Sequence, residues 1–362
     1  PLGLKGLSGK RQPFDYQNSE VRRLSEDGRG ILGFGTGLGK TTTALALEAF
    51  NYENGRSTRT AYVVPKSVLE NWYYEAKEFL SEEAFSNYLF VGLDVLMDGD
   101  QIRQVPVLDE NGKPVLGTDG TPVMRDALKL ADEATITARM NAIPHSNYRA
   151  VVFTKEQYAR IPLRDDTVDE HAQDMLYDFV AAGRVASAMD SDSHRKEAAR
   201  RWVLSEYSDT GTEKAEKYPY FEDMGFDSVI ADEGHNYRNS YKNGREASQL
   251  AYLPTSAVAQ SARDMAIKNA YLMKKNGGRG PVLLTATPVV NTPIDAYNML
   301  SHVLPKEYWQ KMGIYGPDDF VKFFGKTRLE TVQKISGEVE EKMALVGFEN
   351  LDALRGIFHR WV

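Results

Sequence analysis

The stretch that most restricts the fold is Gly33-Phe34-Gly35-Thr36-Gly37-Leu38-Gly39-Lys40-Thr41-Thr42-Thr43. The apolar run Gly30-Ile31-Leu32-Gly33 leads into it, and the helix-forming Ala44-Leu45-Ala46-Leu47-Glu48 follows. Strand, glycine loop and helix in that order are what a phosphate cradle needs, the alternative being a glycine-rich turn before an ordinary helix. Glycines let backbone N–H groups turn inward, and the helix N-terminus adds its positive end. Gly35, Thr36, Gly37, Leu38, Gly39 and Thr42 are then the residues expected around the phosphates. Lys40 is expected on the β- and γ-phosphates, and Thr41 offers its hydroxyl to Mg²⁺. One position departs from the strict G-x-x-x-x-G-K-[ST] form: Phe34 stands where it asks for glycine.

Such a loop needs a parallel sheet behind it, and the chain supplies the strands. Thr60-Ala61-Tyr62-Val63-Val64 is one, closed by Pro65. Ser67 and Glu70 read as a capping box for the next helix, whose apolar face is Val68, Leu69, Trp72, Ala76, Phe79 and Leu80. Further strands are expected at 88–93, 148–154, 226–231 and from Pro281. Strands alternating with helices give an α/β fold, a mostly parallel sheet flanked by helices. Upstream, Phe14, Gln17, Val21 and Leu24 recur at helical spacing, with Pro13 suited to the first turn. Gln17, just before a phosphate loop, is placed to present its amide to an adenine edge.

The run Phe226-Asp227-Ser228-Val229-Ile230-Ala231 ends in Asp232-Glu233-Gly234-His235. Alone, an acidic pair after a strand reads as a helix N-terminus. With the lysine loop it gains a chemical role: Asp232 holds Mg²⁺ and Glu233 polarises the attacking water. Catalysis is therefore assigned to Lys40, Asp232 and Glu233. His235 would link that centre to its neighbours, as would Thr285 and Thr287 at the end of the last strand. Lys66 and Ser67 fall at a strand–helix junction, where sheets of this class place ligand contacts. They read either as plain capping or as a hold on a nucleic-acid phosphate.

The chain has 362 residues, 42% hydrophobic and 26% charged, enough for one large α/β domain or two smaller ones. No apolar run is long enough for a membrane span, and no cysteine is present for disulfides or thiolate metal sites. A net charge of −7 argues against a surface that is basic throughout, although one local groove still suffices for nucleic acid. Residues 98–126 carry turn signals and read as a hairpin-bearing insertion, 126–142 read as helix, and 164–220 as a solvated helical insertion or a basic surface. A helix is expected over about 256–275, closed by Asn276-Gly277-Gly278. No internal repeat is expected. The chain opens Pro1-Leu2-Gly3-Leu4 without a signal-peptide pattern, so it reads as a cytoplasmic or nucleoid-associated piece of a longer polypeptide.

Three pieces in this order carry a family resemblance: Gly37-Leu38-Gly39-Lys40-Thr41, Asp232-Glu233-Gly234-His235 and Thr285-Ala286-Thr287-Pro288-Val289-Val290-Asn291. The set resembles the first RecA-like lobe of superfamily 2 helicases, nearest to Swi/Snf-type double-stranded-DNA translocases. Phe14-Asp15-Tyr16-Gln17, Val63-Val64-Pro65-Lys66-Ser67 with Asn71, Trp72 and Glu75, Val152-Phe153-Thr154-Lys155, and Leu354–Arg360 resemble further motifs of that branch. The resemblance implies that residues 1–362 form one lobe with insertions at about 95–145 and 160–220. It implies ATP and Mg²⁺ as ligands, coupling through His235, Thr285, Thr287 and Asn291, and double-stranded DNA held through Lys66, Ser67 and Thr154. The second lobe, which supplies an arginine to the transferring phosphate in that family, is expected outside this chain, so weak ATP binding and poor hydrolysis are expected from it alone. A strand-separating helicase of the same superfamily, or a scaffold that keeps the fold, are the alternatives. Asn291 and Trp72 weigh against the first, and the intact Lys40, Thr41, Asp232 and Glu233 against the second.

Overall fold

The computed structural model describes residues 2–174, 194, 197, 201, 216–240, 249–253, 260–287, 292–333, 337 and 339–362. At its centre lie six strands: β1 (Gly30–Leu32), β2 (Thr60–Val64), β3 (Tyr88–Phe90), β4 (Ala150–Thr154), β5 (Ser228–Ala231) and β6 (Pro281–Leu284). They run in the order β1-β6-β5-β2-β4-β3, and every neighbouring pair is parallel. All residues of β1, β2, β4, β5 and β6 are buried, as expected of a sheet covered on both faces. Alternate residues of one strand feed opposite apolar layers. Ala61 and Val63 join Phe153, Met265 and Leu300, whereas Tyr62 and Val64 join Leu45, Trp72 and Leu284.

Because the strands are parallel, all their C-terminal tips share one edge, where sheets of this class bind ligands. Leu32 pairs with Leu284, Leu283 with Ala231, Ala231 with Val63, and Val64 with Thr154. The segments after β1, β6, β5, β2 and β4 therefore follow one another along that edge.

Helix α1 (Asp15–Asp27) is capped by Phe14, so Pro13 precedes the helix instead of opening it. It ends at Gly28, whose φ of 71° only glycine adopts freely. Helix α2 (Lys40–Glu53) follows the glycine loop. Before α3 (Leu69–Phe79) comes a 3-10 turn over Lys66–Val68, and Val68 takes the cap position without a side-chain bond. The expected Ser67–Glu70 capping box therefore does not form: the extra turn moves the helix start two residues past Ser67. Helix α4 (Gln260–Lys275) ends on Gly277 and Gly278, both at positive φ, and α5 (Pro293–Ser301) starts from a Thr292 cap.

The segment expected as the first insertion is an arm of short antiparallel pairs, 93–95 with 128–130, 97–98 with 101–102 and 104–106 with 124–126. The helix expected from residue 126 begins only at Glu133, where Asp132 accepts from Thr135 N at 2.8 Å. At the tip is a repeat, contrary to expectation: Pro106-Val107-Leu108, Pro114-Val115-Leu116 and Pro122-Val123-Met124 recur every eight residues. Val107 N–H donates to Val123 O, Val115 N–H to Val107 O, and Val123 N–H to Val115 O, each at 2.8 Å. The three segments close a ring, and Gly112 and Gly120, both at positive φ, sit between its members. Of the segment expected as the second insertion, a helix over Asp165–Asp174 is described, while most of 175–215 lies outside the described residues.

Past α5, a long hairpin pairs Gly325–Gln333 with Val339–Phe348, a feature the sequence reading does not anticipate. The final helix, Leu351–Trp361, returns to the start of the sheet, where Arg29 lies 4.9 Å over the Trp361 ring. Among the described residues no helix is long and apolar enough to cross a membrane.

Candidate nucleotide site

The loop after β1 is built on two left-handed glycines, Gly37 (φ 82°) and Gly39 (φ 77°). Gly39 caps α2, and a Cβ there would lie 2.3 Å from Gln17 Nε2. The backbone sign demands glycine, and a Cβ would also push the Gln17 amide from its place. Lys40 curls back so that Nζ donates to Phe34 O at 3.3 Å, which keeps its ammonium at the loop. Thr41 is half-buried beside it, and Thr36, Gly37 and Leu38 are exposed. Thr42 is buried, so its side chain cannot line the cradle as expected.

Gln17 differs from its sequence reading. Its Nε2 donates to Leu38 O at 3.1 Å, and its Oε1 accepts from Phe14 N at 2.9 Å. The Nε2 end thus braces the loop and the Oε1 end caps α1, and the Tyr16 hydroxyl donates to the same Leu38 carbonyl at 3.1 Å. The Phe34 ring, large for its position, meets Tyr16 edge-on at 5.5 Å, and Tyr16 stacks on Phe14 at 5.8 Å.

Asp232 N–H donates to Val63 O at 2.8 Å, extending the β5–β2 ladder by one residue into the site. Its Oδ1 accepts from Glu233 N at 2.9 Å and its Oδ2 from Trp72 Nε1 at 3.1 Å. Glu233 has φ 51° and ψ 49°, a left-handed conformation uncommon for such a side chain. Burial pushes the Asp232 carboxyl pKa up, while the Trp72 and Glu233 N–H groups and the Lys40 ammonium pull it back. Glu233 Oε2 lies 3.2 Å from His235 Nδ1, and Thr285 Oγ1 lies 3.4 Å from the same nitrogen. Thr285 Oγ1 also accepts from Thr287 N at 3.1 Å. Gly234 packs so closely that a Cβ would approach Leu283 Cβ to 2.9 Å.

The structure thus brings Lys40, Thr41, Asp232, Glu233, His235, Thr285 and Thr287 to one edge of the sheet. Asn291 lies outside the described residues, with Pro288, Val289 and Val290. Lys66 and Ser67 are exposed at the tip of β2. Thr154 is not available as a surface contact: it is 4% exposed, and its hydroxyl accepts from Gln157 N at 3.2 Å to cap the turn that follows. The sequence reading gave Trp72 no place at the metal centre. On the apolar face of a helix it reads as core, and only the need of a buried indole N–H for an acceptor signals more.

For Mg²⁺ the donor set fits. That ion binds through one or two carboxylates plus phosphate oxygens, and Asp232 with the Thr41 hydroxyl is a set of that kind. Among the described residues no group of three or more His, Cys, Asp or Glu gathers into an all-protein cage.

Residues 129–360 match the family described as a probable helicase domain, and residues 17–107 match the SNF2-related domain. Among solved structures, the chain is similar to the SWI2/SNF2 ATPase core of Sulfolobus solfataricus, solved in complex with double-stranded DNA. The TM-score is 0.42 and the identity 13%, over 87% of this chain and 39% of that one. The chain therefore spans well under half the length of that relative. The SNF2-related match over residues 17–107 supports a Swi/Snf-type, helicase-like protein, and with more than half of its residues matched by the other model, the chain belongs to the probable helicase domain family.

Proposed function

We propose that this chain is the first RecA-like lobe of a DNA-dependent ATPase that translocates on double-stranded DNA. The observation that carries the reading is the meeting of the Lys40 loop with the Asp232–Glu233 pair on one sheet edge, next to the exposed Lys66–Ser67 turn. Residues 1–362 form that lobe, with the hairpin arm and the 160–220 segment as insertions.

The phosphates of ATP lie in the loop, where backbone N–H groups and the start of α2 face them. Lys40 exchanges the Phe34 carbonyl for phosphate oxygens. Bound Mg²⁺, held by Thr41 and Asp232, supplies charge neutralisation at the transferring phosphate. Glu233 orients the attacking water and draws off its proton. His235, between Glu233 and Thr285, relays the state of that carboxylate to the β6 tip. Lys66 and Ser67 hold the DNA backbone, and a second RecA-like lobe contributes the arginine.

A fluorescent ATP analogue and a turnover assay test this. Lys40→Ala is expected to remove binding, whereas Glu233→Gln keeps binding and stops hydrolysis. In the full-length protein, duplex DNA is expected to stimulate turnover more than single strands or RNA. Unchanged binding in Lys40→Ala would sink the reading.

A further inference from the structure

We propose that Trp72 is a positioning residue of the magnesium centre: its indole N–H holds Asp232 Oδ2, fixing the carboxylate in the orientation that presents it to the ion. The inference rests on the nucleotide-site reading above and adds to it a residue that only the geometry assigns.

Asp232 is gripped from two sides. Glu233 N–H takes Oδ1 at 2.9 Å, and Trp72 Nε1–H takes Oδ2 at 3.1 Å. The first donor is local and depends on the left-handed turn at Glu233. The second comes from another element, the first turns of α3, so it sets where the carboxylate points relative to the sheet. Trp72 is itself immobilised, being 1% exposed, with its ring 5.2 Å from that of Tyr62. The Tyr62 hydroxyl in turn donates to Ala44 O at 3.2 Å, on the helix that carries Lys40 and Thr41. Trp72 thus joins the metal-binding carboxylate to the phosphate-loop helix through two packed rings. A donor to a buried carboxylate makes a charge-assisted bond, stronger than a neutral one. Groups that orient a metal ligand in this way commonly change metal affinity by about 10- to 100-fold when removed.

The test uses the whole chain, MgCl₂ and a non-hydrolysable ATP analogue. Trp72→Phe keeps an aromatic ring and deletes the N–H. It is expected to weaken the Mg²⁺ dependence of analogue binding about tenfold, while metal-free analogue binding, in which the Asp232 carboxylate has no ion to hold, stays within about twofold. An independent readout needs no change at Trp72. The chain has four tryptophans, so the Trp72 indole N–H resonance is assigned by elimination, with Phe placed at the others. It is expected to move when MgCl₂ is added to the analogue-bound chain, and to move in Asp232→Asn. A resonance indifferent to both, or an unaltered Mg²⁺ dependence in Trp72→Phe, overturns the proposal and leaves the nucleotide site standing. No analogue binding by the unsubstituted chain would instead remove the nucleotide site, and this inference with it.

Discussion

The Arg149 guanidinium grips the Glu48 carboxylate through two hydrogen bonds, Nε to Oε1 at 2.8 Å and Nη2 to Oε2 at 2.7 Å, with both side chains buried. The Tyr88 hydroxyl donates to the same carboxylate at 2.5 Å, and the Tyr52 ring lies 4.3 Å from the guanidinium. The pair fastens α2, whose other end carries Lys40 and Thr41, to the residue before β4. Desolvating two charges costs so much that the pair as a whole adds little, but breaking it strands a buried charge. Arg149→Met is therefore expected to destabilise the chain by about 3–5 kcal/mol, and adding Glu48→Leu to recover most of that loss. Urea unfolding of both variants measures it, and strictly additive losses would contradict the account.

How much of this was legible in the sequence follows from the range of each interaction. The glycine loop, the six strands and the acidic pair announce themselves locally, through glycine spacing and apolar runs. What Gln17 does with its amide, or that Trp72 reaches Asp232, depends on contacts between distant segments that periodicity does not encode. The Ser67–Glu70 box fits its spacing yet loses to a 3-10 turn, because cap position shifts by a residue or two at little cost. The eight-residue repeat escapes notice because its period is far shorter than the 20–50 residues of stacked repeat units.

A pH effect should come from His302. Its Nε2–H donates to Tyr237 O at 2.8 Å, and Nδ1 lies 3.4 Å from Asn269 Nδ2, so the ring is neutral in the fold. Burial is the main cause that lowers its pKa to about 4; the Tyr237 carbonyl opposes the shift and Arg263 adds to it. The unfolded chain takes up its proton near pH 6.5, and the fold resists until about pH 4. Stability is thus unaffected by this residue above 6.5 and falls by about 1.4 kcal/mol per pH unit below it. His302→Gln should flatten the decline between pH 6.5 and 4.5, as read from denaturant midpoints. Parallel profiles for the two proteins would refute the assignment.

Gly39 and Gly37 separate two costs that a single glycine usually mixes. At Gly37 a Cβ meets nothing within 4 Å, so Gly37→Ala pays only for φ, about 1–2 kcal/mol. At Gly39 the same strain is joined by the clash with Gln17 Nε2 at 2.3 Å. Gly39→Ala should therefore lower ATP-analogue affinity by more than the roughly tenfold that 1.4 kcal/mol represents. Adding Gln17→Ala should restore part of it. Calorimetric binding across the four proteins decides, and equal losses in the two single glycine variants would count against the clash.

The ring at the tip of the arm should be dispensable to the lobe. No side chain from 107 to 123 is buried, and its ring of hydrogen bonds closes within itself. Pro106 and Met124 already face each other at its base, so a two-residue Asn-Gly turn can replace residues 107–123 without moving either strand. Gln104 Nε2 keeps its bond to Asp126 Oδ1 at 2.8 Å, and Tyr73 keeps its own at 2.8 Å, so the arm stays anchored on α3. The shortened chain should unfold within about 0.5 kcal/mol of the original and bind the ATP analogue equally well. Lost binding or a large drop in the unfolding midpoint would show that the ring supports the sheet from outside, through contacts its exposure does not reveal.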